Sequence, residues 1–136
     1  AMIARHVRVR FRSFDTSQHH IDLAKELLSK PEFGGLEFHV EFHCIDSVTA
    51  LSLFTEQVSY AYLDSFNHDE KNPTPCQRHQ LAEIGAIYGK LRPDKCAVLM
   101  DDNVSSTGGK PFLASKFLVD RGWKSEIVDY QMLFMR

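Results

Sequence analysis

The chain has 136 residues, enough for one packed domain and too few for two ordinary ones. Hydrophobic residues make up 43% and charged residues 25%, which excludes a disordered or low-complexity chain. A formal net charge of -2 and a pI near 6.4 exclude the global basic field of a nucleic-acid-coating protein, and no apolar run reaches the roughly 18 residues of a membrane span.

The three cysteines, Cys44, Cys76 and Cys96, are odd in number and widely spaced, so they read as reduced thiols rather than a disulfide framework or a structural zinc site. With no signal-peptide pattern at the N-terminus, the expected location is the cytoplasm. Ala1 ahead of Met2 reads as a cloning remnant, which makes Met2 the expected natural start.

In chain order, "HVRVRFRSFD" alternates Val7, Val9 and Phe11 against Arg8, Arg10 and Arg12, the pattern of a strand with one apolar face. "TSQHHIDLAKELLSK" spaces Ile21, Leu23, Ala24, Leu27 and Leu28 as an amphipathic helix ending at Pro31. "EFHVEFHC" is a second half-polar strand, Phe38, Val40, Phe42 and Cys44 opposing His39, Glu41 and His43; Glu41 is placed to pair with a strand-one arginine. "SVTALSLF" predicts a short helix, "VSYAYLD" a strand ending at Asp64, and "FNHDEKNPTP" a loop. A helix over "CQRHQLAEIGAIYGKL" presents Leu81, Ile84, Ile87, Tyr88 and Leu91 and stops near Pro93. "KCAVLM" is a continuous apolar strand, the kind covered on both faces of a mostly parallel sheet. After the loop "NVSSTGG" come a helix over "KPFLASKFLVDRG", closed by Gly122, and two short strands in "WKSEIVDYQMLFMR", with Trp123 expected to pack the last helix onto that hairpin.

Alternating strands and helices predict a single α/β domain over residues 1–136, its sheet mainly parallel with an antiparallel C-terminal hairpin and helices packed on it. In such sheets ligands sit at the carboxyl ends of the strands. Asp15, Asp46, Asp64, Asp101 and Asp102 all lie at or just after strand ends. An apolar strand that stops on Asp101, Asp102 and Asn103 needs an explanation.

The order and wording of these strand ends resemble the class I S-adenosylmethionine-dependent methyltransferases, particularly the small O-methyltransferases that include catechol O-methyltransferase. "RFRSFDTSQHHIDLAKELL" is similar to that family's second strand and helix, "VEFHCIDSVTAL" to its third strand, "VSYAYLDSFNHD" to its fourth, and "LAEIGAIYGKLRPDKCAVLMDDNV" to the helix and fifth strand ending in a metal-binding Asp-Asn pair. "GGKPFLASKFLVDRGWKSEIVDYQMLFMR" resembles its terminal helix and hairpin. The resemblance implies a Rossmann-like sheet truncated at its N-terminus, with S-adenosylmethionine held by Asp15 at the ribose and by Asp46 and Ser47 near the adenine. It implies a magnesium ion on Asp64, Asp102 and Asn103, orienting a small hydroxylated substrate. Two departures stand out. The family's general-base lysine falls on Asn67, leaving His68 next to it as the candidate base. The family's first strand and glycine-rich cofactor turn have no counterpart, the first glycine being Gly34. Loss of that central strand leaves two strands without a neighbour, so either a contracted sheet or a homodimer that completes it is expected, with no nucleic acid or membrane partner.

Plainer roles exist for the same residues. Asp101, Asp102 and Asn103 suit a turn, and Asp15, Asp46 and Ser47 suit helix caps. The alternative to an enzyme is a non-catalytic dimeric protein on a degenerate methyltransferase scaffold, binding a small ligand or another protein.

Overall fold

The computed structural model describes residues 10–33, 39–104 and 106–136, in two compact units, 1–50 and 51–136. Val7, Arg8 and Val9 of the expected first strand, Gly34, and Phe38 of the second lie outside the described residues.

In the first unit, β1 (Phe11–Asp15) and β2 (Val40–Cys44) pair in parallel, Phe11 beside Val40 through Asp15 beside Cys44. Between them in sequence comes α1 (Gln18–Ser29), the crossover that parallel pairing requires. Ser17 caps α1 by accepting the His20 N–H at 3.3 Å. Lys30 takes extended geometry ahead of Pro31, where helix is sterically disfavoured, and a 3-10 turn (Pro31–Phe33) follows. The apolar face of α1 is narrower than its spacing suggests: Ile21 is buried and Ala24 and Leu28 half-buried, while Leu23 and Leu27 are exposed. An i+2 step on a helix turns about 200°, which takes Leu23 off the Ile21 side. On the sheet, Arg10 and Arg12 both reach Glu41, at 3.0 and 2.8 Å. The hydrogen bond from Arg12, then that from Arg10, holds the Glu41 carboxyl below its ordinary range.

The second unit is a four-stranded sheet in the order β3 (Tyr60–Leu63), β4 (Ala97–Met100), β6 (Gln131–Met135), β5 (Lys124–Val128). β3 runs parallel to β4; β6 is antiparallel to β4 and forms a hairpin with β5. Val98 and Met100 of the apolar β4 and Phe134 of β6 are fully buried, with Val98 directly opposite Phe134. A short helix, α2 (Ser47–Leu53), begins in the first unit and ends in the second; α3 (Thr74–Ile87) precedes β4, and α4 (Phe112–Val119) precedes the hairpin. Gly122, at φ 81°, ends α4 in left-handed geometry and sends the buried Trp123 toward Tyr88, ring centroids 6.4 Å apart.

The expected α/β architecture with helices and an antiparallel C-terminal hairpin is therefore present, its sheets mixed: β1–β2 and β3–β4 pair in parallel, β4–β6 and β5–β6 antiparallel. Among the described residues β1 is paired along one edge, by β2, and β3 along one edge, by β4. No described helix is long and apolar enough to cross a membrane.

The chief departure is the buried face of α3. Besides Cys76, Ile84 and Ile87 it buries Gln77, Gln80 and Glu83, where the spacing pointed to Leu81. Each of these polar side chains meets the far end of a strand or loop. Gln77 donates to the carbonyls of Gly109 (3.0 Å) and Thr107 (3.3 Å), and Gln80 to that of Leu63 (3.1 Å). Glu83 accepts the Ser65 hydroxyl at 2.5 Å. These hydrogen bonds offset part of the cost of burying them, Gln80 Oε1 being without a partner among the described residues.

Candidate functional site

Asp15 and the Asp46-Ser47 pair sit at the adjacent carboxyl ends of β1 and β2. One Asp15 oxygen accepts the Ser17 N–H at 2.7 Å, and the other lies 3.4 Å from His20 Nδ1. The side chain remains 37% exposed, so it can still take a ligand's hydroxyls. Asp46 accepts both the N–H and the hydroxyl of Thr49 at 2.8 Å, and Ser47 opens α2. Asp46 thus caps that helix. Asp46→Ala is expected to lower stability by about 1 kcal/mol, read as a lower denaturant midpoint at unchanged slope.

The second unit explains why β4 ends in acids. Asp101 accepts the Tyr62 hydroxyl at 2.5 Å on one oxygen and the Asp102 N–H at 2.8 Å on the other. Asp102 then turns into left-handed geometry, φ 55°, unusual for a residue with a side chain. That turn lets its carbonyl accept the Val104 and Lys110 N–H groups, at 3.0 and 3.1 Å. Gly109 makes the wrap fit. It also sits at positive φ, 58°, and a Cβ there would lie 1.9 Å from the Asp102 carbonyl oxygen.

The loop so folded inserts Lys110. Its ammonium lies 2.9 Å from Asp64 Oδ1, 2.9 Å from Asp102 Oδ2 and 3.0 Å from the carbonyl of Phe66, itself at φ 70°. An ammonium has three donors, and here each has an acceptor. Lys110 is 1% exposed, while the side chains of Asp64 and Asp102 keep 46% and 41% exposure. Burial alone would lower its pKa, but the hydrogen bonds to Asp64 and Asp102 outweigh burial and raise it, so the lysine is charged.

Asp64 and Asp102, expected as magnesium ligands, do converge, and what they converge on is this lysine. Asn103 follows them in the turn, donating its N–H to the Tyr130 carbonyl at 2.7 Å. Among the described residues no group of three or more His, Cys, Asp or Glu side chains is placed to hold a metal ion. With an ammonium seated between its two carboxylates, the set as arranged does not fit a divalent ion. His68 lies with Nδ1 3.6 Å from the buried thiol of Cys76, and among the described residues no hydrogen bond of the acid cluster includes it. Tyr62 is no substitute base: burial first, then its bond to Asp101, pushes the phenol pKa up and keeps it a donor.

Lys110, Tyr62 and Gln77 are the site residues that sequence reasoning missed. A signal existed for the first. A lysine opening a helix opposes the helix dipole, so a lysine after Gly108-Gly109 needs a carboxylate elsewhere.

No family model and no curated protein matches the chain. Among solved structures, an rRNA methylase from Streptococcus thermophilus is similar, with a TM-score of 0.57 at 14% identity over 93% of this chain and 71% of that one. The chain has a methylase-like fold. At that identity the likeness carries the fold alone.

Proposed function

We propose that the chain is a methyltransferase-like domain that binds S-adenosylmethionine and acts on a small hydroxylated molecule without a divalent ion between Asp64 and Asp102. The observation that carries the cofactor half is Asp15, a half-exposed carboxylate at the carboxyl end of β1 beside the β2 end that bears Asp46 and Ser47. A ribose offers two vicinal hydroxyl donors, and such a carboxylate accepts both. S-adenosylmethionine supplies an electrophilic methyl group on sulfur; the chain's part is to hold and orient it. The resemblance to catechol O-methyltransferase suggested magnesium as well. Lys110 speaks against that half, because it already supplies the positive charge between the acids.

The neighbour's substrate, an rRNA, finds little support in this chain. Arg10 and Arg12, candidates for phosphate contacts, are engaged by Glu41, and the net charge is -2. Isothermal titration of S-adenosylmethionine into wild type and Asp15→Ala tests the reading. Micromolar binding is expected, weakened about tenfold to a hundredfold by loss of the charge-assisted hydrogen bonds. Absence of heat at millimolar cofactor would contradict it.

Among the described residues β1 and β3 are each paired along one edge, and a free strand edge supports a second reading, a non-catalytic homodimer on this scaffold. Light scattering on the titration sample separates the two: a dimer that takes no cofactor supports this second reading, and cofactor binding supports the first.

A further inference from the structure

We propose that Lys110 is a built-in substitute for a divalent cation: its ammonium closes Asp64 and Asp102 to metal, and removing its side chain opens the same oxygens as a cation site. The inference stands on the second unit alone and does not depend on cofactor binding.

Three oxygens surround the Lys110 nitrogen, one each from Asp64, Asp102 and the Phe66 carbonyl, at 2.9, 2.9 and 3.0 Å. Carboxylates and a backbone carbonyl are hard donors, the set that suits magnesium or manganese. Two of the three come from residues with unusual backbones, Phe66 at φ 70° and Asp102 at φ 55°. Left-handed geometry at residues bearing side chains persists only where the surroundings enforce it. Here the enforcing contacts are those of Lys110, through its ammonium to both residues and its own N–H to the Asp102 carbonyl.

Charge decides the occupant. Two carboxylates facing one point need a cation, and a monovalent one is already there, tethered in the chain and almost wholly buried. A divalent ion would have to expel a lysine whose three donors are satisfied and whose backbone is fixed by the Gly109 wrap. Water beside the half-exposed Asp64 and Asp102 is available to complete the coordination shell once the side chain is gone.

The test is manganese binding at neutral pH, followed by the loss of the free-ion electron paramagnetic resonance signal, for wild type, Asp102→Asn, Lys110→Ala and Lys110→Ala with Asp102→Asn. Wild type and Asp102→Asn are expected to leave millimolar manganese free. Lys110→Ala should bind one equivalent and melt several degrees higher with the ion than without it, and the double variant should lose both effects. Manganese bound by wild type and lost in Asp102→Asn would overturn the proposal. A folded Lys110→Ala, judged by circular dichroism, that binds no manganese would overturn it too. Failure of Lys110→Ala to fold even with manganese present would overturn it as well, since an ion able to take the ammonium's place between Asp64 and Asp102 would restore the fold.

Discussion

Lys110→Met is expected to lower the unfolding free energy by about 2–4 kcal/mol. Breaking a buried ion pair typically costs about 3–5 kcal/mol. The lower range applies because Asp64 and Asp102 keep 46% and 41% side-chain exposure, and water screens what remains of their repulsion. Methionine keeps an apolar stem of the lysine's shape up to Cε and lacks only the ammonium position, so packing changes little and the loss chiefly reports the ammonium. Urea unfolding at constant slope reads it. Added salt should narrow the gap between variant and wild type, since screening relieves two like charges left facing each other. A difference within about 0.5 kcal/mol, the range of ordinary surface substitutions, would mean that the ammonium does not hold the two acids.

Gly109→Ala should cost about 3 kcal/mol or more, although it adds one methyl group. The left-handed conformation at φ 58° by itself costs an alanine about 1–2 kcal/mol. The added Cβ would also lie 1.9 Å from the Asp102 carbonyl oxygen and 2.5 Å from the Val104 nitrogen, both backbone atoms that no side-chain rotation can move aside. Relief requires the 102–110 wrap to open, which withdraws Lys110 from its acids. Gly85→Ala provides the contrast. That glycine lies in α3 with nothing within 4 Å of a Cβ, so alanine should stabilise by about 0.5–1 kcal/mol through helix propensity. Thermal melts of the two variants should therefore shift in opposite directions.

The fold was legible where periodicity is strong. The unbroken apolar run announced β4, whose Val98 and Met100 face is fully buried and whose Ala97 and Leu99 face is half-buried, and Gly122 marked the end of α4. The pairing of Glu41 with Arg10 and Arg12 followed from opposed positions on neighbouring strands. The inner face of α3 was less legible, because Gln77, Gln80 and Glu83 look solvent-facing until Leu63, Ser65, Thr107 and Gly109 are in place to bond them. Long-range hydrogen bonding leaves no local trace.

At the site, sequence reading found the acids and missed their counter-ion. Asp64 and Asp102 stand 38 residues apart, and strand order alone brings their ends to one rim, so their convergence could be anticipated. Lys110 was read as the first residue of a helix, yet α4 begins at Phe112 and the lysine turns back to β3. What reverses it is the left-handed pair Asp102 and Gly109, and only the glycine hints at that conformation in the sequence. Asp46 went the other way: capping, the plainer of its two readings, is the role its bonds to Thr49 display.

The central claim, that one buried ammonium holds the acid ends of β3 and β4, can be observed directly by nitrogen-15 correlation spectroscopy of lysine side chains. An exposed ammonium exchanges its protons with water too fast to be seen, whereas one buried in three hydrogen bonds exchanges slowly. The account predicts an ammonium resonance near neutral pH that is absent in Lys110→Met, weakened in Asp102→Asn and unmoved by millimolar magnesium. A wild-type spectrum without that resonance, or one in which magnesium abolishes it, would contradict the account.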